Sequence, residues 1–490
     1  MNYAKLIQMS NKYDKRYIYG AGKIGQNILQ KMLDSGIEVE GFLVSDDKFD
    51  ENKEKTLLRP LYRLAEIVDQ NDALVIVALN SKNTEDVRNA LKDIGMPNVV
   101  YLSDLKNNIE HVCFDMIATH RITPMRFFQS DRTLKRINVI TDSINENLLL
   151  GGVATALIVA TKFANKYGYL LRIITREAKI DPEPYKTVLK MNNIPLCENT
   201  VFASDFAEEY FVLDVGEEDI FLATSWWSAQ VIRSMFKKRR FFYIIQEVET
   251  FFYPHGVDHY LCSCIMRDEN INFIINSHYL RDYFKIYEKN IVDNGICFEP
   301  AFSRDVYYAK EFKEKEKHRL FFYARPNNPR NMYRYGVYLI NRAIESGLLT
   351  DEKWEIYFAG AEIPEMKLDL ELPIHFMGQM SWKEYAAFLR NVDLAISLMY
   401  TPHPSYPPYD VACSGGVVVS NKCFNKEKMD ECNNIILGDL EETEFLKALQ
   451  NGIELATNLK QREQNYENSK IKRDWDETLE PVMKFMGERI

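Results

Sequence analysis

From Tyr17 to Leu102, short apolar runs alternate with stretches whose apolar residues recur at helical spacing: RYIY, GKIGQNILQKML, IEVEGFLV, LYRLAEIV, ALVIVAL, residues 84–94 and VVYL. Strand-length runs alternating with amphipathic helices predict βαβ units, and hence a parallel sheet. A polar, aromatic connector follows from about Asp115 to Lys135, with TPMRFFQSDRTLK at its centre and no clear period. The alternation resumes in RINVIT, GVATALIVATKFANK, YLLRIIT, DIFLAT, WSAQVIRSMFK, FFYIIQ, NFIINS and HYLRDYFKIY. Past the charged AKEFKEKEKH it starts again at LFFYA, then a helix from Tyr333, KWEIYFAG, IHFMG, WKEYAAFLRN, DLAISLM, GGVVVS and NIILG. The end, RDWDETLEPVMKFMGERI, reads as an amphipathic helix. The pattern predicts an α/β protein of three Rossmann-like domains, residues 1–120, 121–316 and 317–490.

A length of 490 residues agrees with that number of domains, at roughly 150 residues each. Apolar residues at 46%, charged residues at 27%, 21 Gly and 17 Pro exclude the disordered, collagenous and disulfide-scaffold classes. The net charge of -10 argues against a nucleic-acid partner that needs broad phosphate neutralisation. The start lacks a signal-peptide pattern, and no run reaches the about 18 apolar residues of a membrane span, so a cytoplasmic protein is expected. None of the eight cysteines forms a CxxC pair, and they read as reduced thiols.

Chemistry first suggests itself at Gly20-Ala-Gly22-Lys-Ile-Gly25, between a strand and a helix, with Asp46 closing the next strand. Glycines allow a tight turn and close phosphate approach, a helix start offers amide donors, and the acid can bond a ribose hydroxyl. No Tyr-x-x-x-Lys pair or convincing catalytic His follows within this domain, so NAD chemistry and a packing turn both stay open. A second glycine pair, Gly151 and Gly152, opens the helix after RINVIT, where amides could approach an anion or an acceptor sugar. In the third domain, Arg325 and Arg330 follow the opening strand and could clamp a diphosphate from two sides. The loop from Ser397 to Asp410, SLMYTPHPSYPPYD, then leads into ACSGGVVV.

These last segments resemble family-four glycosyltransferases of the GT-B fold. The resemblance implies that Arg325 and Arg330 hold the donor diphosphate where the family has the Arg and Lys of a GRLxxxKG loop. The family's E-x7-E element falls on Pro402 and Asp410, so the ribose-holding acid survives as Asp410 and the other is lost. More narrowly, SLM...PHPSYPP and IQEVETFFYP are similar to signatures of the WsaF group of rhamnan-synthesis glycosyltransferases, and the likeness runs from Arg136 almost to the C-terminus. It implies Gln246 and Glu247 as acceptor-side catalytic residues, and Gln379, Ser405 and Tyr406 beside the donor. The first domain resembles the nucleotide-sugar-binding Rossmann domain of sugar O-acyltransferases, which implies a nucleotide or nucleotide sugar there.

Sugar transfer in such a cleft needs no metal, because arginines balance the leaving diphosphate. The Asp-x-Asp of Asp474 and Asp476 lies in the terminal helix pattern and reads as a solvated face. His255 and His259 lack a third ligand, and Lys237-Lys-Arg-Arg240 is either a solvated loop or a contact to an anionic membrane surface carrying a lipid-linked acceptor. The expected function is transfer of rhamnose or a related deoxysugar, with dTDP-rhamnose as donor, to a glycan acceptor with retention. A non-catalytic nucleotide-sugar or glycan binder and an NAD-dependent sugar epimerase or dehydrogenase are the competing readings.

Overall fold

The computed structural model describes the chain from residue 6 onward, apart from residues 7–8, 35–36, 56, 69, 71, 80, 103–120, 132, 146–150, 179, 206–211, 237, 361–362 and 364–371. It separates into two compact units, residues 1–120 and 121–490. Among the described residues, no helix is long and apolar enough to cross a membrane.

The first unit is one parallel sheet in the order Leu61–Arg63, Gly41–Val44, Lys15–Tyr19, Ala73–Val77, Val99–Tyr101. Strand Ala73–Val77 is buried at every position, as expected when both faces are covered. LYRLAEIV, expected as one helix, instead splits into the edge strand Leu61–Arg63 and a 3-10 turn Leu64–Ile67. A stretch this short is equally compatible with either period, and pairing with Gly41–Val44 decides it.

The second unit holds two parallel sheets. The seven-stranded one runs Gly295–Phe298, Ile271–Asn276, Phe241–Ile245, Ile220–Ala223, Arg136–Thr141, Leu170–Thr175, Val201–Ser204. The six-stranded one runs Ile374–Gly378, Trp354–Ala359, His318–Tyr323, Leu394–Ile396, Val417–Asn421, Ile435–Gly438. Each is doubly wound, with its first strand inside the sheet, and the chain reverses direction across the sheet beside that strand. Loops at the carboxyl ends of the strands flanking such a point diverge and leave a crevice, where ligands of open α/β sheets bind. The connector read as aperiodic contributes a short strand, Phe127–Gln129, paired in parallel with Leu213–Val215.

The terminal helix Trp475–Gly487, placed by sequence order in the third domain, returns to the core of the seven-stranded half. There Trp475, Leu479, Val482, Met483 and Met486 join Leu157 and Phe163. Asp474 caps it by accepting from the amides of Asp476 and Glu477, and Asp476 pairs with Lys162. The helix therefore straps the two halves of the second unit together.

Candidate active site

Two loops at the reversal point of the six-stranded sheet build one wall of the site. Strand His318–Tyr323 runs into Arg325 and the turn Pro329–Asn331, and strand Leu394–Ile396 runs into the Ser397–Tyr406 loop. The loops are stitched together where the Tyr400 amide donates to the Arg330 carbonyl at 2.8 Å. Asn331 Nδ2 donates to the Leu398 carbonyl at 3.2 Å. Asn421 brackets Met399, accepting from its amide at 2.7 Å and donating to its carbonyl at 3.1 Å. Fully buried Lys426 adds an Nζ bond to the same carbonyl at 3.2 Å. Ser405 takes a left-handed φ of 68° and donates its amide to His403 Nδ1 at 3.0 Å.

Between this wall and the start of helix Gly151–Tyr167 lies a cavity of about 180 Å³. Gly151 and Thr155 line it from one half, and Arg325, Gln379, Tyr406 and Asp410 from the other. Burial raises the Asp410 carboxyl to about 8, against the opposing pull of the Tyr307 and Tyr385 hydroxyls. Burial also lowers the His403 imidazole to about 3, which leaves it neutral, and lowers Lys426 to about 8, where it still carries most of its charge at neutral pH.

Tyr406 crosses the cleft. Its hydroxyl lies 2.7 Å from Thr155 Oγ1 and accepts from Asn276 Nδ2 at 2.8 Å. A methyl group at Gly151 would stand 2.8 Å from the Tyr406 ring, so glycine is required here for close passage of that ring. The space at Gly151 is thus filled by Tyr406 rather than left for an anion. Gln246 continues the network, accepting from Asn276 at 3.0 Å and donating to the Gly152 carbonyl at 2.6 Å.

Glu247, at the end of strand Phe241–Ile245, is buried and also reaches across. Its Oε2 accepts from Arg330 Nη1 at 2.9 Å and Thr401 Oγ1 at 3.1 Å, and its Oε1 from the Val248 amide at 2.9 Å. Burial raises its proton affinity, with Arg330 the main opposing influence. Arg330, expected on a diphosphate, is therefore engaged by Glu247 and lies over the Phe252 ring at 3.9 Å. Glu249, the other acid on this strand end, accepts from the Trp226 amide at 2.8 Å, and burial raises it to about 7.

The structure thus gathers Gly151, Gly152, Gln246, Glu247, Arg325, Arg330, Gln379, Ser405, Tyr406 and Asp410 around one cleft. Sequence reasoning missed Thr155, Asn276, Thr401 and Lys426. Asn276 ends strand Ile271–Asn276, and the strand-end rule would have found it. The remaining candidates lie in the first unit. Gly20 has φ 107°, a side chain at Gly25 would strike the Gly20 carbonyl, and Gly22 faces open space. Asp46 lies exposed in the 3-10 turn Asp46–Lys48. Gly22 is thus the glycine of the Gly20–Gly25 turn whose freedom packing does not require.

Of the other sequence candidates, His255 and His259 have ring centroids 4.4 Å apart, and His259 Nδ1 lies 3.1 Å from the Thr250 carbonyl. Arg239 of the basic tract donates to the Gly216 carbonyl at 3.1 Å, while Lys237 lies outside the described residues. A group no motif announced joins the halves: His278 Nδ1 lies 2.9 Å from Glu299 and its Nε2 3.8 Å from Glu431.

Two doubly wound halves that meet across a ligand-sized cleft, with cations on one side and hydroxyl-binding groups on the other, define a glycosyltransferase of the GT-B class. A crystallised S. aureus TarM bound to fondaparinux, α-GlcNAc-glycerol and UDP superposes with a TM-score of 0.52, at 11% identity over 72% of this chain and 99% of that one. A second TarM structure gives 0.51 at 10% identity, over 72% of this chain and 99% of that one. Residues 136–278 match the family model described as WsaF, N-terminal domain, and residues 318–450 that described as WsaF, C-terminal domain. The chain belongs to the WsaF group of GT-B glycosyltransferases. The O-antigen biosynthesis protein RfbC of Myxococcus xanthus is 24% identical over 273 residues, 54% of this chain and 20% of that protein. The chain thus spans about one fifth of the length of that relative.

Proposed function

We propose that the protein transfers rhamnose or a related deoxysugar from a nucleoside-diphosphate donor, dTDP-rhamnose first among them, to a glycan acceptor in cell-surface polysaccharide synthesis, with retention at the anomeric carbon. The observation that carries this is the cavity between the halves, with Arg325, Gln379 and Asp410 on one wall and Gly151 and Thr155 on the other. Arg325 meets the diphosphate as the sugar–phosphate bond breaks, and charge-assisted bonds of about 1.5 to 3 kcal/mol each favour its departure without a metal. Asp410 holds the ribose, and Glu247 positions the acceptor hydroxyl once Arg330 turns to the phosphates. The RfbC likeness supports a polysaccharide product, and the proposal extends to a lipid-linked acceptor at the inner face of the membrane. In the first unit, the Gly20–Gly25 turn holds a nucleotide or nucleotide sugar.

A panel of nucleotide sugars that includes dTDP-rhamnose, read by thermal shift and nucleotide release, tests the reading. A selective shift with release supports it, and release from a different sugar class replaces the donor. A second reading, a nucleotide-sugar binder without turnover, is favoured by Pro402 in place of the first acid and by the engagement of Arg330 with Glu247. A shift without release would establish that reading.

A further inference from the structure

Beside the Arg330–Glu247 pair, both halves contribute exposed aromatic rings to one continuous band. Phe252 is 39% exposed, Phe424 47%, Tyr400 53% and Tyr287 58%. The Phe424 ring stacks on Phe251 with centroids 5.4 Å apart, meets Tyr283 edge-on at 5.5 Å and lies 6.4 Å from Tyr400. Tyr283 leads on to Tyr287 at 4.5 Å. Phe251, Tyr283 and Tyr287 come from the seven-stranded half, Tyr400 and Phe424 from the six-stranded half. Tyr400 is also joined through its amide to the backbone of Arg330, whose guanidinium covers Phe252.

Phe424 is held at φ 52°, a conformation a bulky residue adopts only where its surroundings over-determine it. Those surroundings are the turn closed by paired backbone bonds between Cys423 and Lys426, at 3.2 and 2.9 Å, with Lys426 buried beneath it on the Met399 carbonyl. Contacts with Phe251 and Tyr283 cover part of the ring, and the strained turn leaves the rest of it open to water.

We propose that this band is a subsite for an uncharged glycan chain, which it guides past the Arg330–Glu247 pair; this rests on the glycosyltransferase reading with a glycan acceptor. The electron-rich face of an aromatic ring suits the C–H face of a pyranose, and the methyl of a deoxysugar enlarges that apolar face. Among the cations near the band, Arg281 and Lys285 share Asp282 at 2.9 and 3.0 Å, and Lys428 pairs with Asp430 at 2.6 Å. These three cations, two of them on one acid, fall short of the cluster of about four or more by which an anionic lipid surface is held.

The test compares the full chain with Phe424→Asn, which tolerates the left-handed turn but lacks the ring, and with Phe424→Tyr, which keeps a ring. Binding to a bacterial glycan array is read beside acceptor-free nucleotide release and binding to phosphatidylglycerol–phosphatidylethanolamine vesicles. The expected result is wild-type retention of neutral glycans, at least a tenfold loss in Phe424→Asn, retention in Phe424→Tyr, and nucleotide release unchanged in all three. Equal glycan binding by Phe424→Asn, no array glycan bound by wild type, or vesicle binding that Phe424→Asn loses would each overturn the subsite. Loss of glycans in Phe424→Asn with no nucleotide release from any protein would support the subsite and sink the transfer reading instead.

Discussion

Asp410 is a carboxyl kept from water, and burial sets its proton affinity near 8 against an unfolded value of about 3.9. The native state alone keeps that proton between the two values. Its stabilising effect is therefore complete below about pH 4 and declines until about pH 8. Asp410→Asn should escape this decline, so calorimetry should find the variant's melting temperature gaining on wild type from pH 4 to 8 and level beyond. The same substitution should lower transfer by roughly a hundredfold, about 2.7 kcal/mol, because a ribose-holding oxygen is lost. Wild-type turnover by the folded variant would remove Asp410 from the donor site. Arg330 and Glu247 make a second residue-scale case, because the diphosphate must compete with a carboxylate already 2.9 Å from the guanidinium. Glu247→Gln removes the competitor and should bind nucleoside diphosphate about tenfold more tightly, one charge-assisted bond's worth, while transfer falls. Arg325→Ala should only weaken binding, and titration calorimetry separates the two outcomes.

The loop from Ser397 to Tyr406 acts as an element through its one long cross-cleft side chain. Gly151→Ala would put a methyl 2.8 Å from the Tyr406 ring, and displacing that ring should cost about 1 to 3 kcal/mol in denaturant unfolding. Adding Tyr406→Leu should make the double variant less impaired than the sum of its parts, and strict additivity would show that the two do not touch. Elements of this kind were only partly legible in the sequence. The buried strands announced themselves as apolar runs because parallel sheets cover both faces, and the strand-end position pointed to Arg325, while Gln246 and Glu247 came from the family resemblance. Helix Val257–Met266 was not recognised, since VDHYLCSCIM has no clear amphipathic period. Lys426 was illegible for a stronger reason: NKCFNKEKMD reads as a solvated charged run, and only the fold buries that lysine under Met399. Asn276 was within reach of the strand-end rule, whereas Thr155 and Thr401 take their roles from the way the halves close, which no local pattern encodes.

Across the whole second unit, the halves are joined by the returning terminal helix, by Tyr406 and by Glu247, and this closure bears on stereochemistry. An inverting transfer needs a carboxylate free to take the acceptor proton on the face opposite the leaving group. Glu247 accepts from Arg330, Thr401 and the Val248 amide, so taking the proton would weaken three bonds at once. Glu249 is turned away to the Trp226 amide, and Asp410 lies beside Tyr307 and Tyr385 in the wall of the cavity. The acids nearest the cleft are thus committed to holding structure or ligand. In a retaining transfer the departing phosphate itself accepts the proton, and the protein has only to orient both sugars. A β-configured donor should therefore give a β-linked product, and NMR of the anomeric carbon of the isolated product decides it. An α linkage would overturn retention and require one of these carboxylates to be released as the base.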